Sequence, residues 1–515
     1  MVLALFAAAV VGFGQVKQSF FPDSTRPQFY VDFWFPEGTH IDETVQELAR
    51  AEQELLGHDG ISHVTTHVGG SSPRFLLTYT PEYNYYSFGR ILVDVDDYRQ
   101  IPVLSEQVQR DLEASFPQAT VNVRLFVLGP ATGGKIQLRL YGPDREVLRE
   151  LGDKAIAVLL DEPNAKGVRS EWREKVKAFR PQLAEAQARR LGIDRPELAS
   201  AMEYVTDKGV QSGIYREDDE LLPILSRAPE SERLDLDNLG AVQIWSTAAQ
   251  RYLPVDQIIT GFGTEFEDAN LWRRDRTRML KIHADQRSGL SSELLAVVKP
   301  RVEQTLGVDV ARHLGRDMGE EPFADYTDQT LPIRWNDAIP LKGMPGYYMA
   351  WGGENEDAVK AQNSIAGSIP IFFGLMVLIV VFLFNSIRKT LVIWLTVPLA
   401  IIGVTVGLLM FKQPFGFMAL LGFMSLAGML IKNAIVLIDQ IDTELAAGKP
   451  GFQAIVDSGV SRLIPVSMAA LTTILGMVPL LQDAFFVAMA VTIMFGLGFA
   501  TLLTLIVVPV LYAIF

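Results

Sequence analysis

The sequence predicts an α-helical membrane bundle joined to a large α+β region of ferredoxin-like β-α-β modules. Two observations carry this. Of the 515 residues, positions 361–515 hold only 6 basic and 5 acidic residues, whereas positions 1–360 hold 40 basic and 55 acidic ones. Strand–helix–strand patterns recur along the charged part, and apolar stretches of the ~20 residues needed to cross a bilayer core recur along the other.

Each element can be justified in order. Met1–Phe13 is apolar, too short to span and without a basic start. It looks like the second half of a membrane helix whose beginning is missing, with a plain non-cleaved anchor as the alternative. Gln28–Phe35 alternates apolar and polar residues, as a half-buried strand does. Asp42–Leu56 carries Val45, Leu48, Leu55 and Leu56 at helical spacing. Strand-like runs follow at Ile61–Val68, Phe75–Thr80 and Arg90–Val95, then a helix at Pro102–Ala114 and a strand at Thr120–Leu128. The order returns at Lys135–Tyr141, Glu146–Leu160 and Gly167–Trp172, and again at Met279–Ala284, Ser292–Gln304 and Leu331–Ile333. Between these lies a charged stretch, roughly 178–270, with a helix at Gln182–Arg190 and short strand-like pieces, read as an inserted domain. Five spans close the chain: Ser364–Phe384, Leu391–Met410, Phe417–Ile438, Leu463–Leu481 and Ala484–Phe515.

Composition narrows the function. Lys plus Arg is 46 and Asp plus Glu is 60, a net charge of −14. A nucleic-acid binder needs a basic surface, so none is expected here. The chain has no cysteine, which excludes disulfides, thiolate metal sites and thiol catalysis and fits an oxidising compartment. No enzyme constellation emerges. Gly129–Lys135 spells GxxxxGK but is followed by Ile136 rather than Ser or Thr, so it is no phosphate loop. His63 and His67 share a strand face without other ligands and read as surface residues, so no metal site and no cofactor are expected.

Basic residues orient the spans. Arg388, Lys389, Lys449 and Arg462 sit in or beside two of the loops and place them in the cytoplasm, with Lys412 as one exception. Residues of about 25–355 then lie outside.

Lys432 is the most informative residue. It falls 15 positions into its span, about 22 Å from the outer end. A Lys at that depth costs about 2.5–3.5 kcal/mol on insertion scales, so it snorkels or answers carboxylates in a proton path. Asp439 lies two turns on, nearly on the same face, and reads as an interfacial charge. Gly403 and Gly407 form a GxxxG suited to close helix packing. Phe75, Tyr79, Tyr83, Tyr85, Tyr86 and Phe88 crowd into 14 residues. They suit either a site for large apolar molecules or the packing of a strand pair.

Three segments together carry a resemblance: Phe20-Phe21-Pro22-Asp23, Gly428-Met429-Leu430-Ile431-Lys432-Asn433-Ala434-Ile435, and Arg462-Leu463-Ile464-Pro465 followed by Gly476-Met477-Val478-Pro479-Leu480. They resemble the C-terminal half of resistance-nodulation-division (RND) efflux permeases, the proton-driven inner-membrane pumps of Gram-negative bacteria. The resemblance implies a truncated membrane helix at 1–14 and porter subdomains at 25–131 and at 132–177 with 271–355. It further implies a docking-type insertion at 178–270 and a five-helix membrane domain at 361–515. It implies proton-driven export of hydrophobic or amphiphilic compounds, with a metal-exporting pump of the same family as the nearest alternative, suggested by 15 methionines. A protein-export auxiliary subunit is the alternative from another class. The implied proton relay is Lys432, Asn433 and Arg462, and the energy source is the proton gradient. The implied partners are an N-terminal half carrying the acidic proton acceptors, a trimer, a periplasmic adaptor, an outer-membrane channel and the lipid bilayer. One departure stands out: Ala469 occupies the position of a family Thr, for which Ser467, Thr472 or Thr473 would have to substitute.

Overall fold

The computed structural model describes residues 2–129, 133–206, 208–230, 233, 236–308 and 338–514. The chain divides into two compact units: Met1–Arg173 with Asn270–Phe515, and Glu174–Ala269.

The first unit opens with α1 (Val2–Phe13), β1 (Gln28–Trp34), α2 (Ile41–Leu56), β2 (Ile61–Val68), β3 (Phe88–Val95), α3 (Ile101–Ser115) and β4 (Thr120–Leu125). The strands form one antiparallel sheet in the order β2-β3-β1-β4. One face presents Phe29, Val31, Phe33, Ile91, Val93 and Val121 to α2 and α3, with Leu48, Leu55, Val108 and Leu112 completing an apolar core. The opposite face is polar and also buried. There Asp32 pairs in register with Arg90 on one side and Asn122 on the other. The alternation in β1 therefore reports two different buried surfaces rather than a half-exposed strand. The expected strand at Phe75–Thr80 is irregular loop instead. Pro73 and Pro81 flank it, and a proline cannot donate to a ladder.

The second module uses β5 (Ile136–Tyr141), α4 (Arg145–Leu160) and β6 (Ala165–Ser170) before the chain leaves it. The separate unit then holds β7 (Lys175–Leu183), α5 (Glu185–Arg190), α6 (Arg195–Tyr204), β8 (Val210–Glu217), β9 (Glu220–Ser226), β10 (Gln243–Ser246), β11 (Arg251–Pro254) and β12 (Ile259–Asp268). The start of the helix expected at Gln182–Arg190 is thus the end of β7, which pairs with β12 through its backbone. A small core of Ile193, Leu198, Ile244, Val255 and Ile258 holds this unit.

The chain returns with β13 (Arg273–Arg274), β14 (Thr277–Gln286), α7 (Ser291–Thr305), β15 (Ile339–Pro340) and β16 (Tyr348–Gly353). The strand expected at Leu331–Ile333 lies outside the described residues. The main strands order as β6-β14-β5-β16, so both outer modules share one β-α-β-β-α-β plan. In the second module the separate unit is inserted between the second and third of these strands.

β16 runs directly into the first long apolar helix, α8 (Glu354–Phe384). The joint is Gly353, at φ +81°, where an added Cβ would strike the Lys135 carbonyl. Then come α9 (Ile387–Thr396), a 3-10 turn at Val397–Leu399 containing Pro398, α10 (Ala400–Met410), α11 (Phe417–Ala446), α12 (Gly451–Met477) and α13 (Val487–Ile514). With α9 and α10 taken as one rod, five helices among the described residues are long and apolar enough to cross a membrane. α10, α11 and α13 form the interior, where Leu408, Leu426, Leu430, Val491 and Leu497 meet. The GxxxG packs as its spacing suggests: Cβ atoms at Gly403 and Gly407 would collide with Phe495 on α13. α8 and α12 lie outside and are largely uncovered.

Candidate functional site

The membrane candidate is built on α11. Leu426, Leu430, Ala434, Leu437 and Ile441 point into the bundle and are buried. The residues left exposed are Ser425, Gly428, Lys432, Asp439 and Thr443, with Ala446 at the helix end. At 100° per residue the first five fall within about 60° of arc. This helix therefore turns its apolar residues inward and its small, polar and charged residues outward. Lys432 makes no hydrogen bond and no ion pair among the described residues. The sequence predicts a Lys that snorkels or answers carboxylates, and within this chain its side chain is uncovered. Asn433, beside it, is 8% exposed and likewise has no hydrogen-bond partner among the described residues.

Arg462 lies on α12 and donates from Nη2 to Oε1 of Gln440 on α11 at 2.5 Å. Its Nε is buried without a partner among the described residues. Together with Asp439, Asp442, Ile435 and Leu383 it lines a cavity of about 530 Å³. Asp442 is already occupied, accepting from Lys389 Nζ at 2.7 Å and from Tyr512 Oη at 2.9 Å. The structure thus keeps Arg462 apart from Lys432 rather than joining them in one cluster. Thr472 and Thr473 both donate to the Ala469 carbonyl, at 3.0 and 2.9 Å, and Ser467 makes no hydrogen bond among the described residues.

The outer candidate is a cleft of about 620 Å³ between the polar face of the first sheet and the second module. Of the aromatic run, Tyr79, Tyr83 and Tyr85 line it, while Phe75, Tyr86 and Phe88 do not. Phe88 is fully buried against Trp34, at 4.3 Å between ring centroids, and serves packing. Tyr79 is buried too, with its Oη accepting from Ser72 and Arg90. Tyr86 is exposed, and Phe75 packs on Tyr79 at 4.8 Å.

Sequence patterning missed the charges that dominate this cleft, because they come from strands remote in sequence. Asp285 accepts from Asn122 at 2.7 Å and from the Lys135 N–H at 2.6 Å, with Arg124 at 3.4 Å. Burial opposes its charge, but these partners outweigh it and hold the carboxyl below its usual range. His283 accepts the Gly134 N–H on Nδ1 at 3.1 Å, so its proton sits on Nε2, facing Glu171 at 3.8 Å. Burial, helped by Arg169, pushes its pKa down to about 4 and keeps the ring neutral. Glu171 is bound by Lys281 at 2.8 Å. Lys166 is pushed down to about 8 by burial, and donates to the Val123 carbonyl at 2.6 Å.

The sequence model of the AcrB/AcrD/AcrF family matches residues 1–320 and 338–515. The chain belongs to that family. Its members are the RND permeases that the three quoted segments resemble. The nickel and cobalt resistance protein CnrA of Cupriavidus metallidurans is 25% identical over 530 residues, covering 99% of this chain and 46% of that protein. The multidrug resistance protein MdtC of Proteus mirabilis is 34% identical over 139 residues, 26% of this chain and 14% of that one. The crystal structure of a heavy metal efflux pump superposes with a TM-score of 0.76 at 19% identity, over 100% of this chain and 50% of that chain, a likeness of fold. The chain thus spans about half the length of CnrA.

Proposed function

We propose that this chain is the Lys-bearing part of a proton-driven exporter in a bacterial inner membrane. The observation that carries the reading is the outward polar strip of α11, with Lys432 at its middle and unpartnered among the described residues. Lipid is a poor surface for an ammonium about 9 Å inside the nearer end of its span, so the strip belongs against protein. A second membrane unit, an N-terminal half of the same pump, supplies carboxylates there. Protonating them releases Lys432, and deprotonation recaptures it. Each charge carried across 100 mV is worth about 2.3 kcal/mol, which drives the helices between two arrangements. The direct run of β16 into α8 offers a route from that movement to the outer modules. The pump works as a trimer, with residues of about 25–355 in the periplasm, an adaptor and an outer-membrane channel.

The cargo in this reading is a hydrophobic or amphiphilic compound taken into the outer cleft. A metal cargo is the second reading, favoured by the resistance described in the name of CnrA. Against it, no group of three or more His, Cys, Asp or Glu among the described residues could hold a metal ion. The test is dye efflux in a pump-deficient Gram-negative host expressing the chain alone, or together with a family N-terminal half. Uncoupler-sensitive efflux should require both. Efflux by the chain alone would refute the need for a second unit.

A further inference from the structure

Most cations around the outer cleft are answered by an acid. Lys281 holds Glu171 at 2.8 Å, Lys135 holds Asp23 at 3.2 Å, and Arg139 holds Glu356 at 2.6 Å. Arg287 grips Glu113 with two bonds of 2.8 and 2.9 Å. Two cations on β6 are different. Arg169 makes no hydrogen bond among the described residues. It pairs with Glu82 at 3.5 Å without a hydrogen bond, and its side chain is only 12% exposed. Lys166 donates one N–H to the Val123 carbonyl and has no acceptor for the other two among the described residues.

A local distortion brings these two together. Residues three apart on a regular strand face opposite ways. Here the pairing slips: Arg169 lies opposite His283 and Lys166 opposite Asp285, so one extra residue bulges out of β6. Gly167, at φ +58°, takes the left-handed conformation such a bulge requires. Lys166 and Arg169 therefore both reach the cleft, while Ala165 and Val168 pack in the module's core. The guanidinium of Arg169 lies over the Trp34 ring, 4.2 Å from its centroid. Tyr30, Tyr79, Tyr85 and Phe126 continue an aromatic wall from there.

We infer that the cleft selects amphiphiles with an anionic head, a carboxylate, sulfonate or phosphate, held by Arg169 and Lys166 with the apolar body along the aromatic wall. This deepens the export reading above and rests on it for the cleft's role as the cargo site. An anion supplies hydrogen-bond acceptors for the two remaining Lys166 N–H groups and for the guanidinium that Glu82 pairs at 3.5 Å without a hydrogen bond, and charge-assisted bonds to guanidinium are the strong kind. The cleft's volume lies within the range of small-molecule pockets. A free metal cation would meet Arg169 and Lys166, while His283, Glu171 and Asp285 in the same lining are already engaged by the Gly134 N–H, Lys281, and Arg124 with Asn122.

The experiment uses the full chain in nanodiscs and two probes with one fluorophore, dansyl-6-aminohexanoate and dansylcadaverine. Fluorescence titration should show saturable binding of the carboxylate probe, about tenfold or more tighter than the amine probe. Arg169→Gln should weaken the carboxylate probe about tenfold or more and leave the amine probe unchanged. Lys166→Met should act in the same direction, and Arg169→Lys should restore part of the loss. Thermal midpoints of the variants show that each is folded. Binding in nanodiscs needs no proton gradient, so loss of proton coupling cannot be mistaken for loss of the anion site. Equal affinity for the two probes would overturn the proposal. So would displacement of the carboxylate probe by cobalt(II), or full affinity in folded Arg169→Gln.

Discussion

The outer seam and the outward face of α11 both carry charge away from open water, and they treat it in opposite ways. In the seam, Asp32 is locked to Arg90, Asp285 to Arg124 and Asn122, and Glu171 to Lys281. On α11, Lys432 has no partner among the described residues. A buried charge that is fully answered belongs to the architecture, because removing its partner leaves an expensive orphan. A charge that the chain leaves unanswered in an apolar setting is available to something that comes and goes. Inside the seam, Lys166 comes nearest to that case: it has one acceptor, the Val123 carbonyl, and no ion pair among the described residues, whereas Arg169 pairs with Glu82 at 3.5 Å.

The contrast can be broken most severely at Asp32, which sits in the middle of β1 with side-chain exposure of 3% and is bound by Arg90 through Nε and Nη2. Asp32→Ala strands a buried guanidinium and should cost about 3–5 kcal/mol, read as a collapse of the thermal midpoint or of membrane yield. Adding Arg90→Met should recover much of the loss, because it removes the orphan. If Asp32→Ala were tolerated alone, the pair would not be architectural.

A smaller loss is expected where packing alone decides. Gly403→Val places new atoms against the Phe495 backbone and should cost about 1–3 kcal/mol, measured as thermal stability in detergent. An unchanged midpoint would show that α10 and α13 are not in contact as described.

The smallest effect is a pH dependence. His283 is neutral when folded, with its pKa near 4, whereas the unfolded ring titrates near its usual 6.5. As pH falls below that value the unfolded chain gains a proton that the folded chain refuses. Stability is therefore lost between about 6.5 and 4, and by pH 5 the loss from this group is up to about 2 kcal/mol. His283→Gln should flatten the dependence of the thermal midpoint over that range. An equally steep variant would place the acid sensitivity elsewhere.

How much of this was legible beforehand differs between the two regions. The spans were readable because a run of apolar residues needs no partner to be recognised. Lys432 stood out for the same reason, as a single charge against an apolar background. The strand β1 was readable from its alternation, and β5 and β14 from the recurring strand–helix–strand order. The loop at 71–87 was not, since Phe75, Leu76 and Leu77 imitate a strand that the flanking prolines prevent. The seam was least legible. Arg90 and Asp32 are 58 positions apart and meet through the order of one sheet, whereas Asn122 and Asp285 are 163 apart on two different sheets and meet only where the modules pack. The Gly167 bulge is a matter of register, and one glycine in an otherwise plausible strand gives little warning. The aromatic run was dense enough to notice, yet the fold uses Phe88 for packing and delivers three tyrosines to the cleft.

The sharpest test separates stability from work at Lys432, in the proposed pump completed with a family N-terminal half. Lys432→Met keeps the length of the side chain and removes its charge, so membrane insertion should be no harder than in the parent. Partner carboxylates that lose their counter-charge stay protonated, and the cycle stalls in one state. Dye efflux should be measured against membrane protein level and thermal midpoint, with Lys432→Arg alongside. The account predicts an unchanged midpoint, normal levels and efflux near zero in both variants, since the planar guanidinium differs from an ammonium in shape and hydration. Uncoupler-sensitive efflux persisting in Lys432→Met would contradict it and leave Lys432 as an anchor.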